Sequence, residues 1–411
     1  MTALSKNLKP LKTSRQNAWS GDVLINQDIV LEDTTLRDGE QAPGVAWSKE
    51  QKREIFEALV RVGVKWIEVG IPKMGGDELR FLSEVVEYKS ELMLVAWNRG
   101  VRDDVKQSLD LGFEAVHIGL PTSDVHLKQS VGKNRAWVLE TASDLVNYAK
   151  DRGAFVSISA EDVGRTDEAF LVDYAGRLSE LGADRMRLSD TIGIMTPEKY
   201  ARKIELVKSS AEVDVQCHCH NDFGLAVANT LAGLKAGAKY FHVCVNGLGE
   251  RAGMPDLAQM VMALKKLYDV DLKIDTRGLR NLSEVVSQET RVKLPPWAPV
   301  VGDNVCAHES GIHAKGVLND SNTFEPFSAD EVGGTQRIVI GKHSGRAAVR
   351  SCVIDADLVL NDDVLFRCLE AVRAEAIRKQ SALDATEVVA IYQELLETAS
   401  GRPDSNHEAN I

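Results

Sequence analysis

Cysteine is scarce in this chain. Six occur among 411 residues, at positions 217, 219, 244, 306, 352 and 368, without the spacing that staples small secreted domains. A disulfide framework is therefore excluded, and a reducing, cytoplasmic compartment is expected. Positive charge is also lacking. The formal net charge of −12 argues against a general nucleic-acid or membrane-surface binder, while leaving room for a local basic pocket that takes an anionic substrate. No run of about 18 apolar residues occurs, so no membrane-spanning helix is expected. Residues 1–24 carry Lys6, Lys9, Lys12 and Arg15 but no apolar segment, and read as a flexible arm rather than a signal peptide.

What is present is globular in composition, with 44% hydrophobic and 27% charged residues. Short β-branched runs recur along the chain: "DIVLEDTT", "VKWIEVGI", "LMLVAW", "FEAVHIGL", "AFVSISAE", "ADRMRLSD", "VDVQCHCH" and "KYFHVCVN". Amphipathic stretches lie between them. "SKEQKREIFEALVRVG" offers Ser48 as an N-cap, and Thr196 precedes Pro197 at the first helical position of "TPEKYARKIELVKSS". Evenly alternating strand–helix units over about 250 residues predict a (β/α)8 TIM barrel across residues 25–285, with a doubly wound open sheet as the competing arrangement. Beyond it, the Pro-rich "RVKLPPWAPVVGDN" opens a small mixed subdomain at 286–345. A helical subdomain follows at 346–400, then a disordered tail at 401–411.

Within "VQCHCHND", side chains of a strand alternate faces, so His218 and His220 point into the barrel while Cys217 and Cys219 pack against helices. Such a pair of imidazoles either binds one ion or is simply hydrogen-bonded. "LEDTTLRDGEQAPG" crowds Asp33, Arg37, Asp38 and Glu40 onto the end of strand one, where a barrel places its chemistry. One carboxylate there can complete a two-His, one-carboxylate site, and Arg37 can stabilise an oxyanion. The competing reading is a polar loop of local salt bridges, which the shared rim with the histidines disfavours. In "NGLGERAGMPD", Gly247, Gly249 and Gly253 suit either a phosphate-cradling loop or a plain turn. Outside the barrel, His308, His313 and His343 are each structural or catalytic candidates.

Taken together, "DTTLRDGEQ", "SAEDVGRTD", "SDTIG", "HCHNDFGLAVANTLAGLKAGA", "NGLGERAG", "SGIHAKGVL" and "IGKHSGR" resemble the α-keto-acid/acetyl-CoA condensing synthases. That family holds the homocitrate, isopropylmalate and citramalate synthases. "EVGIPKMG", "VAWNR" and "LPTSD" are similar to its nitrogenase-associated homocitrate subgroup. The resemblance implies a divalent cation (Zn, Mn, Mg or Co) on Asp38, His218 and His220. It implies Arg37 at the nascent alkoxide, Thr191 on the α-carboxylate, and Glu161 and His313 as proton carriers. It places Asn246, Gly247 and Gly249 near acetyl-CoA. His313 would come from the partner subunit, which implies a homodimer with subdomain exchange. No leucine-type regulatory domain is expected.

Three positions depart from the family pattern. Met254 stands where many members have Asn, Phe324 where lysine-pathway homocitrate synthases have Tyr, and Ser157 where those enzymes hold the distal carboxylate with Arg. Arg99, His126 and Lys128 are the replacement candidates for distal recognition, each weighed against an ordinary surface charge. The keto acid is expected to be 2-oxoglutarate, with phosphonopyruvate second and the isopropylmalate or citramalate substrates third. A carbon–carbon lyase acting on a 3-hydroxy-3-methylglutaryl-CoA-like thioester and a metal-binding barrel without chemistry are the alternatives of other classes.

Overall fold

Eight parallel strands close a barrel in sequence order: β1 (Val30–Asp33), β2 (Trp66–Gly70), β3 (Met93–Arg99), β4 (Ala115–Gly119), β5 (Phe155–Glu161), β6 (Arg185–Asp190), β7 (Asp214–Cys219) and β8 (Tyr240–Val243), with β8 pairing back to β1. The structure is a computed structural model that describes residues 25–400. The arm expected at 1–24 and the tail expected at 401–411 lie outside the described residues. The expected (β/α)8 barrel is thus the observed fold, and each β-branched run is one of its strands.

The local chemistry matches the sequence signals. Ser48 Oγ accepts from Gln51 N while Gln51 Oε1 accepts from Ser48 N, a reciprocal cap at the start of helix Lys49–Arg61. Thr196 accepts from Lys199 N ahead of Pro197 in helix Pro197–Ser210. Along β6 the inward positions are Arg185, Arg187 and Ser189, paired in register with Asp214, Gln216 and His218 of β7. This period of two separates a polar barrel interior from an apolar exterior. At the strand beginnings, Trp66, Phe155 and Tyr240 converge with ring centroids 5.2–6.4 Å apart, and the Arg185 guanidinium lies 4.9–5.7 Å from all three. They floor the barrel at its N-terminal end.

Cys217 and Cys219 face outward and are fully buried. Helix Ala226–Lys235 approaches β7 so closely that a Cβ on Gly233 would stand 2.5 Å from Cys217 Sγ and 2.9 Å from Tyr200 Cε1. Burial pushes the Cys217 thiol up to about 12, so it behaves as an apolar packing group.

The chain divides into two compact units between Leu294 and Pro295, inside the Pro-rich connector. The second unit holds helices Gly311–Asn319, Arg346–Asp355, Asp362–Lys379 and Ala385–Ser400, and a two-residue parallel pairing of Ala307–His308 with Arg337–Ile338. Its core gathers Val349, Val353, Cys368, Val372, Val388 and Tyr392.

Gly233→Ala is expected to destabilise the barrel by about 1–3 kcal/mol through overpacking. Cys217→Ala in the same background should recover part of that loss. Urea denaturation of the two variants measures both effects.

Candidate active site at the C-terminal mouth of the barrel

The segment after β1 turns back on itself. The amides of Arg37 and Gly39 both donate to Thr34 O, which brings Arg37 and Asp38 into the mouth. Asp33 anchors the turn by accepting from Thr35 N and Oγ1, each at 2.9 Å, and Thr35 Oγ1 in turn accepts from Val245 N after β8. Burial pushes the Asp33 carboxyl up to about 7 against those Thr35 hydrogen bonds. Glu40, also singled out in this loop, is spent on Lys52 at 2.8 Å and on Trp47 N.

Asp38, His218 and His220 meet here, each at most 5% exposed. His218 Nε2 lies 3.3 Å from His220 Nε2 and 3.6 Å from Asp38 Oδ2, and one ligand atom of each residue lies within 4.8 Å of the others. Burial drives both imidazoles below their ordinary value despite Asp38 nearby, so they present neutral lone pairs. For Asp38 burial opposes ionisation, but the Arg37 charge prevails and holds the carboxyl below its usual range. Two imidazoles and a carboxylate form a donor set for a divalent cation. Nitrogens bound at about 2.0–2.1 Å to one ion stand about 3.0–3.4 Å apart, which the histidine pair matches. The residues therefore fit the metal. His220 Nδ1 is buried with no hydrogen-bond partner in the protein.

Arg37 is held on three sides. Its Nε and Nη2 reach Glu68 Oε2 at 3.0 and 2.9 Å, its Nη1 reaches Asp38 Oδ2 at 2.8 Å, and its guanidinium lies 5.8 Å from the Trp97 ring. Burial alone would lower its pKa, yet Glu68 and Asp38 more than offset that and secure the cation. Glu68 on β2 also takes Arg187 Nη1 at 2.9 Å and Thr34 Oγ1 at 3.0 Å. Deeper still, Glu32 takes Arg185 at 2.5 and 3.2 Å and His242 Nε2 at 2.9 Å. Sequence reasoning singled out none of Glu32, Glu68, Trp97, Arg185, Arg187 and His242. For all but Trp97 a signal was available: charged or titratable residues at inward parity within barrel strands.

Glu161 ends β5 beside Trp97. A Cβ on Gly119 would meet Trp97 Cζ2 at 2.7 Å and Glu161 Oε1 at 2.8 Å, so only glycine lets the two flank the mouth there. Burial raises the Glu161 carboxyl, opposed by Arg37 and Arg187. Thr191 Oγ1 accepts from Asp162 N at 2.8 Å, and its carbonyl takes Arg251 Nη2 at 2.7 Å. In the loop after β8, Asn246 sits at φ 60° and is tied through both side-chain ends to Ser283. A side chain on Gly249 (φ 150°) would reach within 3.1 Å of Asp38 Oδ1, so this glycine lets the loop pass over the carboxylate. Met254 is buried beside it.

Of the residues considered for distal recognition, Arg99 and His126 face carboxylates of the protein itself. Arg99 gives Nε and Nη2 to Asp104 at 2.6 and 3.0 Å, His126 lies 3.8 Å from Asp162, and Lys128 is exposed. Ser157 is fully buried inside the barrel, where its hydroxyl meets Arg185 Nε at 3.0 Å and His117 Nδ1 at 2.9 Å. In the second unit, His308 is buried against Glu325 at 3.2 Å, and His343 N donates to Glu309. His313 is exposed and stacks on Phe324 with centroids 4.0 Å apart and planes inclined by 19°. Gly316 leaves the room that this ring occupies.

Residues 28–286 match the HMGL-like family model, and residues 300–380 match that of the homocitrate synthase post-HMGL domain. The 2-phosphonomethylmalate synthase of Streptomyces rubellomurinus is 58% identical, over 90% of this chain and 99% of its own. The 2-isopropylmalate synthase 2 of Caldanaerobacter subterraneus is 43% identical over 90% and 97%, and homocitrate synthase 1 of Nostoc sp. is 42% identical over 89% and 97%. The HMG-CoA lyase of Pseudomonas aeruginosa shares the fold at TM-score 0.59 and 22% identity, covering 66% of this chain and 95% of its own.

Burial works against the charge of Glu68, but Arg187 and then Arg37 draw its carboxyl from 4.5 down to about 2. Glu68→Gln strands two buried guanidinium groups and is expected to cost about 3–5 kcal/mol at pH 7. The folded-state pKa is depressed, so this stabilisation is complete above about pH 4.5 and is lost as pH falls toward 2. The gap between wild type and variant in urea denaturation should therefore narrow across that window.

Proposed function

The chain belongs to the HMGL-like family of acetyl-CoA-dependent keto-acid-condensing synthases, and from that premise we propose that it condenses acetyl-CoA with phosphonopyruvate, releasing CoA and 2-phosphonomethylmalate. The chemistry rests on one observation above the rest: Asp38, His218 and His220 converge beside an immobilised Arg37. The choice of keto acid is supported by 58% identity to a phosphonomethylmalate synthase, against 42–43% for the homocitrate and isopropylmalate enzymes named above. 2-Oxoglutarate, placed first from the sequence, becomes the second reading. The Ser157 hydroxyl is committed to Arg185 and His117 and offers no cation to a distal carboxylate.

A divalent cation (Zn, Mn, Mg or Co) held by Asp38, His218 and His220 would supply Lewis acidity toward the keto carbonyl. Thr191 Oγ1 accepts the Asp162 amide and gives its own proton only to a long 3.4 Å contact with Ser189 O, which the substrate's α-carboxylate can replace. Glu161 and the partner subunit's His313 move the protons. The methyl of acetyl-CoA loses one, its carbon bonds to the keto carbon, and the resulting alkoxide gains one. Burial raises the Glu161 carboxyl above its ordinary value, the direction that strengthens it as a proton acceptor. Arg37, pinned by Glu68 and Asp38, meets the alkoxide charge without reorganising. Water then cleaves the thioester, leaving a carboxylate and free thiol. Asn246, Gly247 and Gly249 line the acetyl-CoA side. We assign residues 25–285 to catalysis and 286–345 to delivery of His313 in a cytoplasmic homodimer with exchanged subdomains.

Thiol release from acetyl-CoA, with phosphonopyruvate, 2-oxoglutarate, 2-oxoisovalerate, pyruvate and oxaloacetate compared with and without chelator, tests this reading. Selective, chelator-sensitive turnover of phosphonopyruvate is expected, and preference for 2-oxoglutarate would make this a homocitrate synthase. His218→Ala should abolish turnover while circular dichroism stays unchanged. Undiminished turnover in that variant would sink the metal assignment.

A further inference from the structure

We propose that His242 is a positioning residue that fixes which nitrogen of His218 faces the metal, through a Glu32–His242–His218 relay running up the barrel interior. The inference rests on the metal reading given under Proposed function. Glu32 and His242 are direct partners across the β1–β8 pairing, and both are fully buried. Glu32 takes two guanidinium nitrogens of Arg185, at 2.5 and 3.2 Å, so it is an anion that only accepts hydrogen bonds. His242 Nε2, 2.9 Å from Glu32 Oε1, must then carry its ring's proton. A neutral imidazole has one N–H, so His242 Nδ1 is left as an acceptor. That atom lies 2.8 Å from His218 Nδ1. Two lone pairs do not face each other at that distance, so His218 Nδ1 carries the proton. His218 Nε2 thereby keeps its lone pair where Asp38 and His220 converge.

Burial keeps water from scrambling this order, because none of the three side chains is more than 7% exposed. A metal-binding histidine usually gives its second N–H to a carboxylate, a backbone carbonyl or water. Here a neutral ring stands between ligand and carboxylate, so His218 is oriented without a directly bonded anion. Glu32, Glu68 and His242 could themselves enclose a cation by distance. Their carboxylates, however, already face Arg37, Arg185 and Arg187. Those arginines supply the positive charge, so this deeper group serves as support and not as a second metal site.

Calorimetric titration of Zn²⁺ into metal-free wild type, His242→Phe and His242→Gln tests the relay, with the visible spectrum of the Co²⁺-loaded proteins as a second signature. His242→Phe is expected to bind about 10–100-fold more weakly and to shift the Co²⁺ bands. His242→Gln keeps one acceptor and one donor, and should recover most of the affinity. Equal affinity in wild type and His242→Phe would overturn the relay alone. Failure of wild type to bind any Zn²⁺ would instead overturn the metal site itself. Should His242→Phe not fold, ¹⁵N spectra of histidine-labelled wild type read the tautomers directly. Nδ1–H on His218 with Nε2–H on His242 supports the relay, and the reverse overturns it.

Discussion

Glu68 lies between Arg37 and Arg187, and the rest of the mouth is arranged around that bridge. Removing a carboxylate from water is costly, and repayment comes only when every oxygen meets a well-placed cation or donor. Here that condition is met by two arginines and the Thr34 hydroxyl. The bridge couples the loop after β1 to the strands on the far side of the barrel. Arg37 thereby becomes a fixed feature of the scaffold, although it sits on a turn.

The same interior is balanced in charge. Arg37, Arg185 and Arg187 stand against Glu32, Glu68 and Asp38, all buried. Such a lattice leaves no surplus charge of its own. On the reading proposed above, a divalent cation at Asp38 would therefore create a positive excess for an anionic keto acid to neutralise. Substrate and metal affinities would then be coupled, because each would reduce the desolvation cost of the other.

The barrel was legible because its signals are local. Apolar runs of strand length, the caps at Ser48 and Thr196, and the parity of His218 and His220 all depend on near neighbours in the chain. The inner lattice was not read, because each charged member finds its opposite charge on a different strand. Glu32 finds His242 only when β8 closes on β1, and Arg187 finds Glu68 across the barrel. Nothing within a few residues of Glu32 or Glu68 indicates a partner. Ser157 was read as the position where lysine-pathway enzymes hold the distal carboxylate with Arg, and it lies deep in the interior, four residues along β5 from Glu161. The stack of His313 on Phe324 spans eleven positions and two elements, and depends on Gly316 lacking a side chain.

Trp66, Phe155 and Tyr240, with Arg185 above them, make the barrel a vessel closed at one end. Whatever enters such a vessel leaves by the way it came. On the reading proposed above, a keto acid seated against Asp38 and the histidines would share that one opening with acetyl-CoA. The ring cluster on the floor thus leaves that mouth as the single route in and out of the barrel.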